Sequence, residues 1–112
     1  MIKIKCKDIN KKEVKELAKL LGINDVPIII NEVDDRKRTQ IANYYMKYKT
    51  IDGKRVKIIK EKIQVFLYKE YPLKRTIINY SHDTICEYEF QTKLEELMYA
   101  LAHEAYHRKY FQ

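Results

Sequence analysis

Near the end of the chain, His103-Glu104-Ala105-Tyr106-His107 places two histidines four positions apart with a glutamate between them. At about 3.6 residues per turn, side chains at that spacing project from one face of a helix, so both imidazoles can reach a single metal ion. Neutral imidazole is a good zinc ligand, and a helix holds such a pair with little further ordering cost. Glu104 stands beside the first histidine, where its carboxylate can reach a water on the metal without binding the metal itself. Zinc draws the pKa of that water toward neutrality, and Glu104 can take the proton and deliver it to a leaving amine. His103 and His107 are therefore the expected zinc ligands, and Glu104 the expected general base and acid. Two of the three histidines in the chain fall in this one pattern, which weighs against an accident of composition.

These side chains need a helix to carry them. Thr92 can cap and Glu95, three residues on, can reach back, so the spacing predicts a helix from about Thr92 toward the end of the chain. Leu94, Leu97, Met98, Leu101 and Ala105 are read as its apolar back, with Tyr99, Ala100 and Tyr110 on the histidine side. Glu95 and Glu96 are assigned to capping and surface. A tyrosine near a zinc site can stabilise an oxyanion, which makes Tyr44, Tyr45, Tyr99, Tyr106 and Tyr110 candidates; amphipathic packing is the commoner use of the residue.

Earlier elements supply the rest of the frame. Residues 2–6, "IKIKC", alternate apolar and basic side chains, as a half-buried strand does. A helix follows, entered at Asn10 and stopped by Gly22, with Ile9, Val14, Leu17, Ala18, Leu20 and Leu21 as its stripe. "PIIINEV" reads as a strand buried on both faces. Asp52-Gly53 between "YYMKYKTI" and "KRVKII" predicts a tight hairpin. "IQVFLY", closed by Pro72, is a further strand, and "RTIINYS" another that ends at "SHDT". The order is strand, helix, several strands, helix: an α+β fold with a mixed or antiparallel sheet.

At 112 residues, 46% hydrophobic and 35% charged, the chain is expected to form one folded domain over residues 1–112. Its longest apolar run, "VPIII", is far below membrane-span length, and the first residues lack the apolar core of a signal peptide, so a cytoplasmic protein with no membrane partner is expected. Cys6 and Cys86 form no metal or disulfide motif and are read as buried thiols. The +7 charge is spread among acids and matches no nucleic-acid motif, so it is read as solvated surface and not as a nucleic-acid interface.

The chain resembles a zincin metallopeptidase with an H-E-x-x-H motif, and is most similar to the minigluzincins, minimal gluzincin-like domains. The resemblance rests on "HEAYH" as the specific motif. Over residues 9 to 110 it extends, at the level of pattern, to the helix "KKEVKELAKLLG", the strand "VPIII", the segment "IANYY", the strand "TIINYS" and the approach "FQTKLEELMYALAHEAYH". It implies His103 and His107 as zinc ligands, Glu104 as general base and acid, and a peptide or protein substrate. It also implies an edge strand, "TIINYS" or one near it, that aligns an extended peptide by strand addition.

One departure from the family is plain. Zincins complete the metal site with a third protein ligand downstream of the second histidine, whereas only "RKYFQ" follows His107 here. Four explanations stay open: a truncated chain, a ligand donated within a homo-oligomer, an upstream residue recruited to the metal, or an incomplete site. Upstream, His82 is the leading candidate, although a turn residue in "SHDT" is its plainer reading; Asp83 and Cys86 rank below it. The alternative function is a latent or inactive zincin-like protein that binds or regulates, and a basic nucleic-acid-binding module ranks third.

Overall fold

The computed structural model of the chain describes residues 1–34, 41–79 and 83–110. His82 lies outside the described residues, so its candidacy as a ligand meets no geometry. The expected α+β layout is observed, with a four-stranded mixed sheet, a two-stranded antiparallel sheet and two helices among the described residues.

Strand β1 (Ile2–Lys5) keeps the alternation of its sequence, with Ile2 and Ile4 half-buried and Lys3 and Lys5 exposed. Helix α1 (Lys11–Leu20) begins where Asn10, in an extended conformation, accepts a hydrogen bond from the Lys12 N–H at 2.7 Å. It ends ahead of Gly22, whose φ of 71° is the left-handed conformation a glycine adopts at low cost. Val14 and Ala18 are buried and Leu17 and Leu21 pack against the core, but Leu20 is 83% exposed. Positions 14, 17, 18 and 21 form one helical stripe, and Leu20 points well away from it. The expected stripe was one residue too wide.

Strand β2 (Ile28–Glu32) lies between β1 and β4 and runs parallel to both, which explains its uninterrupted apolar run. Strands β3 (Ala42–Ile51) and β4 (Lys54–Leu67) are antiparallel and joined at Asp52-Gly53, with φ of 53° and 76°, the paired left-handed residues of a tight hairpin. "IQVFLY" is therefore not a separate strand. No Gly, Pro, Asn or Asp interrupts Lys54 to Leu67, so "KRVKII" and the later run form one strand. The sheet order is β1-β2-β4-β3, which leaves β3 at an edge.

Strands β5 (Leu73–Asn79) and β6 (Thr84–Phe90) pair with each other in the smaller sheet. The "TIINYS" strand expected to align a peptide thus begins in this hairpin, apart from the main sheet, and its last two residues lie outside the described ones. Strand β6 was not expected, although Thr84, Cys86, Tyr88 and Phe90 alternate with Ile85, Glu87 and Glu89 at a strand period. Cys86 on it is exposed and Cys6 is half-buried; both are free thiols, and the reading of two buried ones is corrected.

Helix α2 (Lys93–Tyr110) packs on β3, β4 and α1, so the core lies between the main sheet and the two helices, with Ile28, Ile30, Ile63, Val65, Leu97 and Leu101 at its centre. No described helix is long and apolar enough to cross a membrane.

Candidate metal centre

The first turn of α2 forms as its sequence requires. The Thr92 hydroxyl accepts from the Glu95 N–H at 3.2 Å, and the Glu95 carboxylate accepts from the Gln91 N–H at 2.6 Å. Two amide donors that the helix cannot pair internally are thereby satisfied, with the back-reach one residue earlier than in an ideal capping box. Lys93 then ties the helix to the ends of β1 and β2. Its side chain is 8% exposed, and the ammonium donates to Glu32 at 2.6 Å and to the Lys7 carbonyl at 3.2 Å and sits 3.7 Å from Asp8.

The buried side of α2 differs from expectation. Leu97, Ala100 and Leu101 are buried with Lys93, Glu96 and Glu104, while Met98 is 46% exposed. Ala100 thus belongs to the core and not to the histidine side, and Met98 belongs to the surface. Glu96, assigned to the surface, is 0% exposed and accepts a hydrogen bond from Tyr71 at 2.6 Å. Sheet, hairpin and α1 cover a broader arc of α2 than one sheet face would, and polar side chains enter it where partners wait.

His103 and His107 emerge together, both exposed, with Nε2 atoms 2.9 Å apart and rings at 86°. Two nitrogens at about 2.0–2.1 Å from a tetrahedral zinc stand about 3.3 Å apart, so a few tenths of an ångström of opening admits an ion between these rings. Burial and the neighbouring His107 lower the His103 pKa, which favours the neutral imidazole that binds metal. Glu104 is 3% exposed, and its carboxylate lies within 4.8 Å of both histidine nitrogens. Among the described residues it has no hydrogen-bond or ion-pair partner, and burial pushes its pKa up to about 7. A buried carboxylate without a partner costs free energy unless something not part of the chain completes it. With the two ring nitrogens and this carboxylate within 4.8 Å of one another, the residues present could hold a metal ion.

Other side chains hold these in place. Arg108, directly after His107, donates to Glu61 of β4 at 3.1 and 3.2 Å, to Asp25 at 2.7 Å and to the Gly22 carbonyl at 3.0 Å, clamping the histidine-bearing end of α2 to the sheet and to the turn after α1. Tyr44 of β3 donates to the same Glu61 at 2.5 Å. On the other flank, Tyr88 and Phe90 of β6 pack on Tyr99, which stacks on His103 at 6.2 Å. The role of Arg108 was missed in the sequence; its position one residue after the second histidine was the available signal.

The candidate tyrosines separate accordingly. Tyr44 is engaged by Glu61, Tyr45 is exposed under Lys62, and Tyr106 and Tyr110 are exposed and pack on each other. Tyr99 and Tyr106 have rings beside a histidine. Among the described residues, His103, Glu104 and His107 are the one group of metal-ligating side chains, and neither Asp83 nor Cys86 joins it. Comparison of the chain with protein-family models, with curated proteins and with solved structures gives no match.

Proposed function

We propose that this chain is a zinc-dependent metallopeptidase of zincin type, similar to the minigluzincins, in which His103 and His107 hold the metal and Glu104 moves the proton. The observation that carries the reading is the buried Glu104 carboxylate, without a partner among the described residues, beside two histidine nitrogens 2.9 Å apart. Held by the two rings, zinc would polarise a peptide carbonyl and make water acidic enough to ionise near neutral pH. Glu104 takes the proton of the attacking water on a carboxylate oxygen and passes it to the nitrogen of the leaving amine. A pKa raised to about 7 suits a group that must both accept and release a proton near neutrality. Its burial against the sheet side of α2 excludes bulk water from the exchange. Tyr99, stacked on His103, and Arg108, which anchors the turn after His107, keep both rings in position. The free thiols of Cys6 and Cys86 suit a cytoplasmic setting, where thiols stay reduced.

A second reading, a latent or inactive zincin-like protein that binds or regulates, draws support from the same group: among the described residues no further His, Cys or Asp stands close enough to complete the site. One experiment separates the two. Zinc content and affinity are measured for the wild-type protein and for His103→Ala and His107→Ala, and cleavage of an unfolded protein substrate is followed with and without Glu104→Gln. A peptidase binds about one zinc per chain, loses about a hundredfold or more in affinity in either histidine variant, and loses cleavage but not zinc in Glu104→Gln. Zinc without cleavage in the wild-type protein selects the latent reading. No zinc under metal-replete conditions rejects both.

A further inference from the structure

The outer half of the β3–β4 hairpin is built against the rules for a stable ribbon. Every residue from 47 to 60 whose side chain is described is exposed, so neither face of this part rests on another layer. An isolated two-stranded ribbon is marginally stable at best. Here Lys47 stands directly opposite Lys60, and Lys49 opposite Lys57, and like charges at facing positions destabilise a hairpin. Lys54 and Arg55 add to them, with Asp52 as the single acid between residues 47 and 60. Between the cations, Tyr48, Ile51, Ile58 and Ile59 are 40–60% exposed. Lysines also guard strand edges against unwanted pairing, but a guard needs no facing pairs and gains nothing from exposed isoleucines. Violations of local rules concentrated in one place are the mark of a functional surface.

We propose that this arm, with the free edge of β3, takes an extended acidic peptide as an added strand and delivers it to the metal centre. The inference rests on the peptidase reading and names its substrate class. Among the described residues β3 pairs with β4 alone, so its outer edge offers alternate N–H and C=O groups over Ala42–Ile51. That edge leads to the site: Tyr44 of β3 and Arg108 of α2 share Glu61, and His107 precedes Arg108. An added strand places its own acids beside Lys47 and Lys49, with Lys57 and Lys60 one strand further in, and its apolar residues beside Tyr48. Nucleic acid is the weaker occupant. Arg55 and Lys62 already cover one face of the Tyr48 and Tyr45 rings, at 5.1 and 5.4 Å, where bases would stack.

Binding is tested apart from turnover, in Glu104→Gln protein loaded with zinc. The probe is a fluorescent peptide of about ten residues alternating Glu and Val, compared with its Lys–Val counterpart, with a single-stranded oligonucleotide of similar length and with a Glu–Val peptide N-methylated at every second amide. The acidic peptide should bind at least tenfold tighter than the basic one and lose at least tenfold on N-methylation. It should also weaken at least tenfold when Lys47, Lys49, Lys57 and Lys60 are all replaced by Glu, and less when all four are replaced by Gln, with zinc content kept as the check that the fold survives. Equal binding of the acidic and basic peptides overturns the proposal, and so does no effect of N-methylation or an oligonucleotide that binds tighter than the acidic peptide. Acidic-peptide binding in a protein that takes up no zinc sinks the peptidase reading and leaves the selectivity of the arm standing.

Discussion

Glu96 and Glu104 stand about two turns apart on the buried side of α2, 0% and 3% exposed, and the fold treats them in opposite ways. Glu96 accepts a short hydrogen bond from Tyr71, and one turn earlier Lys93 is held by Glu32, the Lys7 carbonyl and Asp8. Among the described residues Glu104 has no such partner, and two histidine rings face out of the same turns. Burial by itself does not separate a structural carboxylate from a chemical one. What separates them is whether the chain completes the group, because an incomplete buried carboxylate persists only at a cost in stability. The first half of α2 is an anchor, and its second half is held open.

Breaking the anchor should cost most. Lys93→Met removes the cation that neutralises Glu32, itself only 16% exposed on its side chain, and leaves that carboxylate facing the Cys6 thiol. Removing one partner of such a buried pair should destabilise the protein by about 3 kcal/mol, read as a lower midpoint in urea unfolding. Zinc affinity should change little, since the histidines lie about three turns further along the helix. A large loss of zinc in this variant would show that the two halves of α2 are coupled.

At the open end the sign reverses. In metal-free protein the Glu104 pKa is raised to about 7 by burial, above that of an unfolded glutamate. The folded state therefore holds the proton more tightly, and this contribution to stability is complete below about pH 4 and is lost as pH rises through about 7. Glu104→Gln removes the dependence. At pH 8 and in the presence of a chelator the variant should be more stable than wild type by about 2 kcal/mol, after the cost of burying an amide. At pH 4 the two should nearly coincide. A stability difference independent of pH would mean that Glu104 is satisfied by a contact not seen among the described residues.

Much of the frame is written in short local signals. Asn10 and Gly22 mark the limits of α1, Asp52-Gly53 turns the hairpin, and Thr92 with Glu95 starts α2; each acts through its own backbone within a few residues, so no tertiary knowledge is needed. The histidine pair was legible for the same reason, as a spacing on one helix. What was not legible depends on partners distant in sequence. Hydropathy places Met98 in the core and Glu96 on the surface, and partners distant in sequence, Tyr71 among them, reverse the second assignment. The same holds for Arg108, whose carboxylate partners lie on β4 and before β2. The pattern of the long β4 changes where arm gives way to sheet, which mimics a boundary although no turn residue lies there.

The contrast between the two carboxylates sharpens when only one hydrogen bond is removed. Tyr71→Phe keeps the ring and deletes the hydroxyl that donates to Glu96, which should cost about 1.5 kcal/mol because the acceptor is a buried carboxylate. The same protein should keep its zinc affinity. If instead stability is unchanged, the remaining contacts of Glu96 suffice, and the difference between the two carboxylates lies in the number of partners and not in this bond.

The smallest effect lies at the start of the helix and tests whether the anchor acts as a unit. Thr92→Ala removes the hydroxyl that accepts the Glu95 N–H, while the Glu95 carboxylate can still reach the Gln91 amide. Half of the cap survives, so the loss should be about 1 kcal/mol. Hydrogen exchange should quicken in the first turn of α2 and not around His103 to His107, because Arg108 fastens that end independently to Glu61 and Asp25. Faster exchange at the histidines would mean that the clamp at Arg108 does not isolate the histidine pair, and that the open half of α2 draws its order from the anchored half.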